Sequence, residues 1–222
     1  MLLCVLAKEP RPGFAKTRLC PPCTPDQAAE LAAACLVDTF ATVVATDAAA
    51  RIVALDGAAG PWVPAELEVV PQVDGGLGAR LDAAVRAGFA RLPEGPVVVI
   101  GMDTPQVRPS HLLEIDRLLG DDAPGATDAV LGMASDGGYW VIGLRRLVPG
   151  AFDGVPMSTA GTGVAQADRL TELGCRVALT NELVDVDDIA SARRVARDAP
   201  ATNFATTLSQ LEISDVDLAD GG

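Results

Sequence analysis

The chain has 222 residues, 49% of them hydrophobic, with a formal net charge of −13 and a pI near 4.4. That is enough for one large α/β domain, and with aromatics at 4% its core must be aliphatic. The acidity excludes nucleic acid as the main partner, because a phosphate backbone needs a broad basic face.

The opening apolar run, residues 1–7, reads as a buried strand. It is too short for a signal-peptide core and has no basic segment before it. No other stretch reaches the ~18 apolar residues of a membrane span. The expectation is a cytoplasmic protein without a membrane partner. Next comes Lys8-Glu9-Pro10-Arg11-Pro12-Gly13-Phe14-Ala15-Lys16-Thr17-Arg18-Leu19. Two prolines and Gly13 rule out a simple helix and predict a tightly turned loop. Lys8, Arg11, Lys16 and Arg18 against the single acid Glu9 give this loop a charge of +3 inside an acidic chain. The distant negative charge is mostly screened, since the Debye length is about 8 Å at physiological salt. A cationic, glycine-containing loop after a strand is in physical terms a phosphate site, with Lys16 expected as an exposed cation.

Five cysteines, an odd number scattered at 4, 20, 23, 35 and 175, do not suggest a disulfide framework. Cys20 and Cys23 have C-x-x-C spacing, but with no second such pair and His111 as the single histidine, a four-ligand zinc site is hard to assemble. Thr24-Pro25-Asp26-Gln27 is a helix start, with Thr as cap, Pro in the first turn and Gln three residues on. Helical spacing then runs to about Val44. Short strands are expected at 52–55 and 67–71, the second ending in Gln72-Val73-Asp74-Gly75-Gly76-Leu77-Gly78, and a helix follows over 79–92. The run from Pro96 to Asp103 is the clearest strand, apolar throughout as a strand covered on both faces requires. Ser110 caps a helix to about Leu119. Strands at 128–134 and 139–144 flank Ser135-Asp136-Gly137-Gly138, whose short spacing predicts a hairpin-like insertion. A helix over 163–173, a strand over 176–179 and a helix over 188–197 complete the set.

Strands alternating with helices predict a mostly parallel, mixed sheet flanked by helices on both faces. The domain is expected to span 1–197, with 198–222 as a partly disordered C-terminal extension. Ligands of such sheets bind beyond the carboxyl ends of the strands. The conspicuous polar residues fall there: the basic loop, Gln72 to Gly78, Asp103, Asp136 to Tyr139, and Asp185 to Asp188. A strand-end carboxylate is costly unless hydrogen-bonded or bound to a cation. Asp103 with Asp185 or Asp187 would therefore hold Mg2+ or Mn2+ against a diphosphate. Gln72 offers both a donor and an acceptor to a nucleobase, and the glycines after it let a flat ring approach. Asp136, Gly137, Gly138 and Tyr139 combine a carboxylate, two permissive residues and an aromatic plate, a lining suited to an acceptor or a sugar.

These motifs occur in a recognisable order: Ala-Lys-x-Pro-x-Pro-Gly-x-x-Lys-Thr-Arg-Leu at 7–19, Gly-x-Leu-Gly-x-Arg-Leu at 75–81, Gly-x-Asp-x-Pro at 101–105, Asp-Gly-Gly-Tyr at 136–139 and Asp-Val-Asp at 185–187. The set resembles the bacterial GT-A-type glycosyltransferases related to arsenosugar biosynthesis, in the nucleotide-diphospho-sugar transferase superfamily. The resemblance covers about residues 1–197. It implies a Rossmann-like GT-A fold, a nucleotide or nucleotide-sugar, a small-molecule acceptor and a divalent metal. By it, Lys16 and Arg18, with Lys8 and Gly13 in the same loop, touch phosphates. Gln72, Gly76 and Gly78 meet the base, and Asp103 with Asp187 takes the metal. Ser158 of Met157-Ser158-Thr159 stands on the acceptor side, where the family often has Trp-Ser-Thr.

Three readings remain open on the sequence. In the first, the chain is a metal-dependent glycosyltransferase in which Lys16 and the metal neutralise a departing diphosphate and Asp136 is the base. In the second, it is a nucleotidylyltransferase joining a nucleoside triphosphate to a phosphorylated small molecule. In the third, it binds nucleotide without turnover.

Overall fold

A computed structural model describes residues 1–120 and 126–213. The apolar runs become the strands β1 (Leu2–Lys8), β2 (Ala50–Asp56), β3 (Glu68–Pro71), β4 (Val97–Gly101), β5 (Ala129–Ala134), β6 (Tyr139–Leu144) and β7 (Val177–Leu183). The periodic segments become the helices α1 (Pro25–Ala45), α2 (Leu77–Arg91), α3 (Pro109–Gly120), α4 (Thr162–Glu172), α5 (Ile189–Asp198) and α6 (Asn203–Gln210). The strands form one sheet in the order β3-β2-β1-β4-β6-β5-β7. Only β6 runs against its neighbours, pairing antiparallel with both β4 and β5, while the other pairings are parallel. The mixed sheet and the hairpin around Gly137 are as the sequence predicts.

Side chains alternate across the sheet and both faces are covered. Leu3 and Val5 of β1 face Leu36 and Phe40 of α1 and Ile115 of α3, whereas Leu2 and Cys4 face Val85 and Phe89 of α2. This two-sided burial is why β1 and β4 carry unbroken apolar runs. Cys23 is buried with Leu19 and Leu31 in a third cluster beneath α1, with Cys20 packed beside it, and all five cysteines are free thiols.

Two observations go beyond the sequence reading. Helix α1 is 21 residues long and apolar enough, by length and composition, to cross a membrane, contrary to the expectation that no stretch would be. Sixty-one per cent of its most apolar window is buried in the fold, so it serves as a core helix between the sheet and α6. Its start has the expected capping box, with Gln27 N–H on the Thr24 hydroxyl and Thr24 N–H on the Gln27 side chain. The expected extension from residue 198 carries α6 in its described part, and residues 214–222 lie outside the described residues.

Helix α6 is held by Asp38 of α1. Its buried carboxylate accepts the Asn203 and Phe204 backbone N–H groups at 2.9 and 2.8 Å and the Asn203 side-chain amide at 2.8 Å. An anion at a helix N-terminus satisfies orphan donors and meets the positive end of the dipole. Beneath it, Phe204 is fully buried. Asp38→Ala should therefore cost about 2 kcal/mol, as removal of a charged acceptor from buried donors does. In a thermal melt this should appear as a midpoint about 4–8 °C lower.

Candidate functional site

The basic loop leaves β1 at the carboxyl edge of the sheet and folds back on itself. Glu9 N–H bonds Asp56 O at 2.8 Å, and the Phe14 ring lies under the Arg11 guanidinium at 4.1 Å and the Lys8 ammonium at 5.5 Å. At Lys16 the backbone enters the left-handed region, φ 53°, and turns into a short 3-10 segment, Thr17–Leu19, anchored by fully buried Leu19. For a residue with a Cβ this conformation costs about 1–2 kcal/mol.

What offsets that cost is the Lys16 side chain. Its Nζ donates to the Asp103 carboxylate and to the Val186 carbonyl oxygen. The side chain is only 6% exposed, so the expected exposed loop cation is in fact a buried one. Burial works against its charge, but the nearby negative groups, Asp103 first, outweigh burial and hold the ammonium above its ordinary pKa. Val186 N–H in turn bonds Asp103 O at 2.8 Å. The segments following β1, β4 and β7 are thus closed into one ring of bonds. Next to it, Arg18 Nη1 lies 2.9 Å from each oxygen of Asp187.

Asp136 sits in the β5–β6 turn, where its Oδ1 accepts Gly138 N–H at 2.7 Å. Gly137 has φ +90° and packs so closely on the 158–163 loop that a Cβ would fall on the Ala160 carbonyl oxygen, so the position admits only glycine. Ser158 in that loop is itself left-handed, φ 59°. Asp185 is pushed up to about 6, first by burial, then by the charge of Asp136, with Asp103 adding to it. Three carboxylates therefore feel one another. Tyr139 donates its hydroxyl to Gln166 at 3.2 Å, and burial raises its pKa above the ordinary tyrosine value, so it stays neutral.

Two adjoining cavities open at this edge. The larger, about 470 Å³, is walled by Asp103, Asp136, Asp185 and Asp187 together with Thr104 and Tyr139. The smaller, about 260 Å³, is walled by Lys8, Lys16, Arg18, Gln72 and Arg80. Arg18, Asp103 and Asp187 line both and mark the junction. The residues singled out in the sequence sort by cavity. Lys8, Lys16, Arg18 and Gln72 face the smaller, and Asp136, Gly138, Tyr139 and Ser158 face the larger. Gly13, Gly76, Gly78 and Gly137 line neither.

Two assignments shift. Gln72 Nε2 already donates to Ala7 O and Ala54 O, both at 2.8 Å, so its amide ties β1 to β2 and only its oxygen, 3.4 Å from Arg80, faces the cavity. Arg18 Nη1 bridges both oxygens of Asp187, and Asp185 is a partly buried acid under the influence of Asp136 and Asp103. Arg80, the arginine of the Gly-x-Leu-Gly-x-Arg-Leu motif at 75–81, has no role assigned from the sequence and pairs with Asp56 at 2.8 Å, while Thr104 and Asp56 stand at no fixed position of any motif.

This architecture, with the cavities at the strand ends, is the fold of the nucleotide-diphospho-sugar transferases and nucleotidyltransferases. A protein of Desulfovibrio desulfuricans G20 described as a candidate nucleotide-diphospho-sugar transferase superposes with a TM-score of 0.84 at 22% identity, over 94% of this chain and 93% of that one. The 2-C-methyl-D-erythritol 4-phosphate cytidylyltransferase of Thermus thermophilus gives 0.55 at 17%, over 90% and 100%. The CMP:2-keto-3-deoxy-manno-octonic acid synthetase complexed with CTP gives 0.55 at 13%, over 95% and 99%. The chain belongs to the family described as "Uncharacterized protein conserved in bacteria (DUF2064)", whose model matches residues 30–159. No curated protein matches it.

Because Lys16 is buried between two acceptors, Lys16→Met should lower stability by about 1–2 kcal/mol rather than leave it unchanged. Asp103 is 48% exposed and can rehydrate, which keeps the loss below that of a fully buried pair. Urea unfolding at pH 7 measures it.

Proposed function

We propose that the protein is a glycosyltransferase that uses a nucleoside-diphosphate sugar, with its nucleotide in the smaller cavity and its sugar in the larger. The observation that carries this reading is the charge of the larger cavity. Four aspartates line it against one cation, Arg18, which already holds Asp187. A phosphorylated second substrate, as nucleotidyl transfer to a phosphosugar requires, would face like charge there. An uncharged polyhydroxyl group instead finds carboxylate acceptors, hydroxyls and the Tyr139 ring. The basic cavity beside it suits a diphosphate.

In the reaction proposed, an acceptor hydroxyl attacks the anomeric carbon and the bond from that carbon to the diphosphate oxygen breaks. The nucleoside diphosphate leaves with the bonding pair, and Lys16 and Arg18 balance its growing charge. Asp136 takes the acceptor's proton: its Oδ1 is fixed by Gly138, and Oδ2 is the oxygen left to act as base. Asp103 and Asp185, hard oxygen donors on one wall, fit Mg2+ or Mn2+. Among the described residues no three acids, histidines or cysteines form a ready cage, so Asp103 and Asp185 would hold such an ion together with groups of the substrate, as is usual for Mg2+. Such an ion supplies further neutralisation of the diphosphate. Five free thiols suit a reducing, cytoplasmic setting.

The test is a screen of sugar nucleotides and nucleoside triphosphates, each with small acceptors and Mg2+ or Mn2+. Release of a nucleoside diphosphate is the expected outcome. Release of pyrophosphate would mean nucleotidyl transfer, and tight binding with no product would mean a binding protein. With the substrate found, Asp136→Asn should lower kcat by about 10²-fold or more with KM little changed, the scale of a lost general base. Lys16→Arg should restore nucleotide binding better than turnover, because a planar guanidinium cannot follow the Lys16 geometry.

A further inference from the structure

The two partners of the Lys16 ammonium are hard oxygens on different segments, the Asp103 carboxylate after β4 and the Val186 carbonyl oxygen after β7. Carboxylate and carbonyl oxygens are also the ligands that Mg2+ and Mn2+ take. Asp103 is one of the two acids named above for such an ion, and Asp185, the other, directly precedes Val186 in the chain. The ammonium therefore occupies part of the surroundings that a divalent ion would need. It is not a passing contact. The Lys16 side chain is only 6% exposed, and Val186 N–H on the Asp103 carbonyl oxygen at 2.8 Å holds its two partners together. An ammonium and a divalent ion on the same carboxylate are like charges, and in a partly buried site their repulsion is far less weakened than in water.

We infer that in the ligand-free protein Lys16 is a stand-in for the divalent ion and keeps the Asp103 site closed to metal until an anionic ligand arrives. This rests on the metal ligands named in the glycosyltransferase reading above. Lys16 thereby makes metal uptake conditional on the phosphates of the substrate, whose negative charge lets ammonium and ion share one carboxylate. The coupling is reciprocal, so the ion strengthens binding of the anionic ligand by the same factor.

The experiment is Mn2+ titration of the nucleotide-free protein, read as the loss of the free-ion signal in electron paramagnetic resonance. Wild type is compared with Lys16→Met, Lys16→Gln and the double variant Lys16→Met/Asp103→Asn, each checked for folding by its thermal midpoint. Both neutral variants should bind Mn2+ about tenfold or more tighter than wild type, the direction set by removal of a neighbouring like charge. Lys16→Gln keeps a side-chain donor and serves where Lys16→Met does not fold. The gain should vanish in the double variant, which lacks the carboxylate. If the neutral variants bind Mn2+ no more tightly than wild type, or the double variant keeps the gain, the inference falls while the glycosyltransferase reading stands. Tight Mn2+ uptake by wild type without nucleotide overturns it whatever the variants do. If neither the neutral variants nor wild type with UDP, GDP, ADP or CDP takes up Mn2+ beyond what the nucleotide alone binds, the metal assignment falls and takes this inference with it. The transfer reaction itself is judged separately, by the product screen above.

Discussion

The site depends on one buried ammonium. Lys16 joins the loop after β1 to Asp103 after β4 and to Val186 after β7, and the Val186–Asp103 backbone bond closes the ring. These segments are far apart in sequence and converge only because β1 and β4 are adjacent and the β7 end folds back to them. Without the ammonium, a left-handed lysine, a strand-end carboxylate and an orphan carbonyl would each be unfavourable. Together they satisfy one another, which is how local strain persists at sites of this kind. The ring also brings Arg18 and Asp187 into their two-point contact, since each follows closely on one of its members.

Around that ring the charge separates. The chain is acidic, yet Lys8, Lys16 and Arg80 line only the smaller cavity, Asp136 and Asp185 line only the larger, and Arg18, Asp103 and Asp187 stand between them. Interactions across so short a range are screened far less than those over the rest of the surface. Asp185 is pushed up to about 6 first by burial and then by the charges of Asp136 and Asp103. Binding a ligand with a charged diphosphate and an uncharged remainder would place each part in the half suited to it.

Much of this was legible in the sequence, for physical reasons. Unbroken apolar runs such as Val97–Gly101 can only be two-sided strands, and Thr24-Pro25-Asp26-Gln27 can hardly avoid starting a helix. Positions after strands announce themselves as site candidates, and Lys16, Arg18, Asp103 and Asp136 do line the cavities. What residue order alone does not carry is pairing. That Asp187 is occupied by Arg18, that the Gln72 amide is spent on Ala7 and Ala54, and that Lys16 is buried all follow from three-dimensional register. Thr104 carried no signal at all, because a lone threonine before proline looks like any turn residue. Helix α6 was missed for a related reason: its short, weakly apolar segment becomes a helix through Asp38, 165 residues earlier.

The choice of lysine at position 16 follows from the same geometry. Of seventeen basic residues fifteen are arginine, and the two lysines both lie in the basic loop. An ammonium has three donors pointing away from one another, whereas a guanidinium presents a flat fork. At Lys16 one donor goes to Asp103 and one to Val186 O, acceptors on two different segments. Arg18, by contrast, meets one carboxylate, its Nη1 lying between both oxygens of Asp187. The lysine is therefore a structural rivet that also lines the smaller cavity.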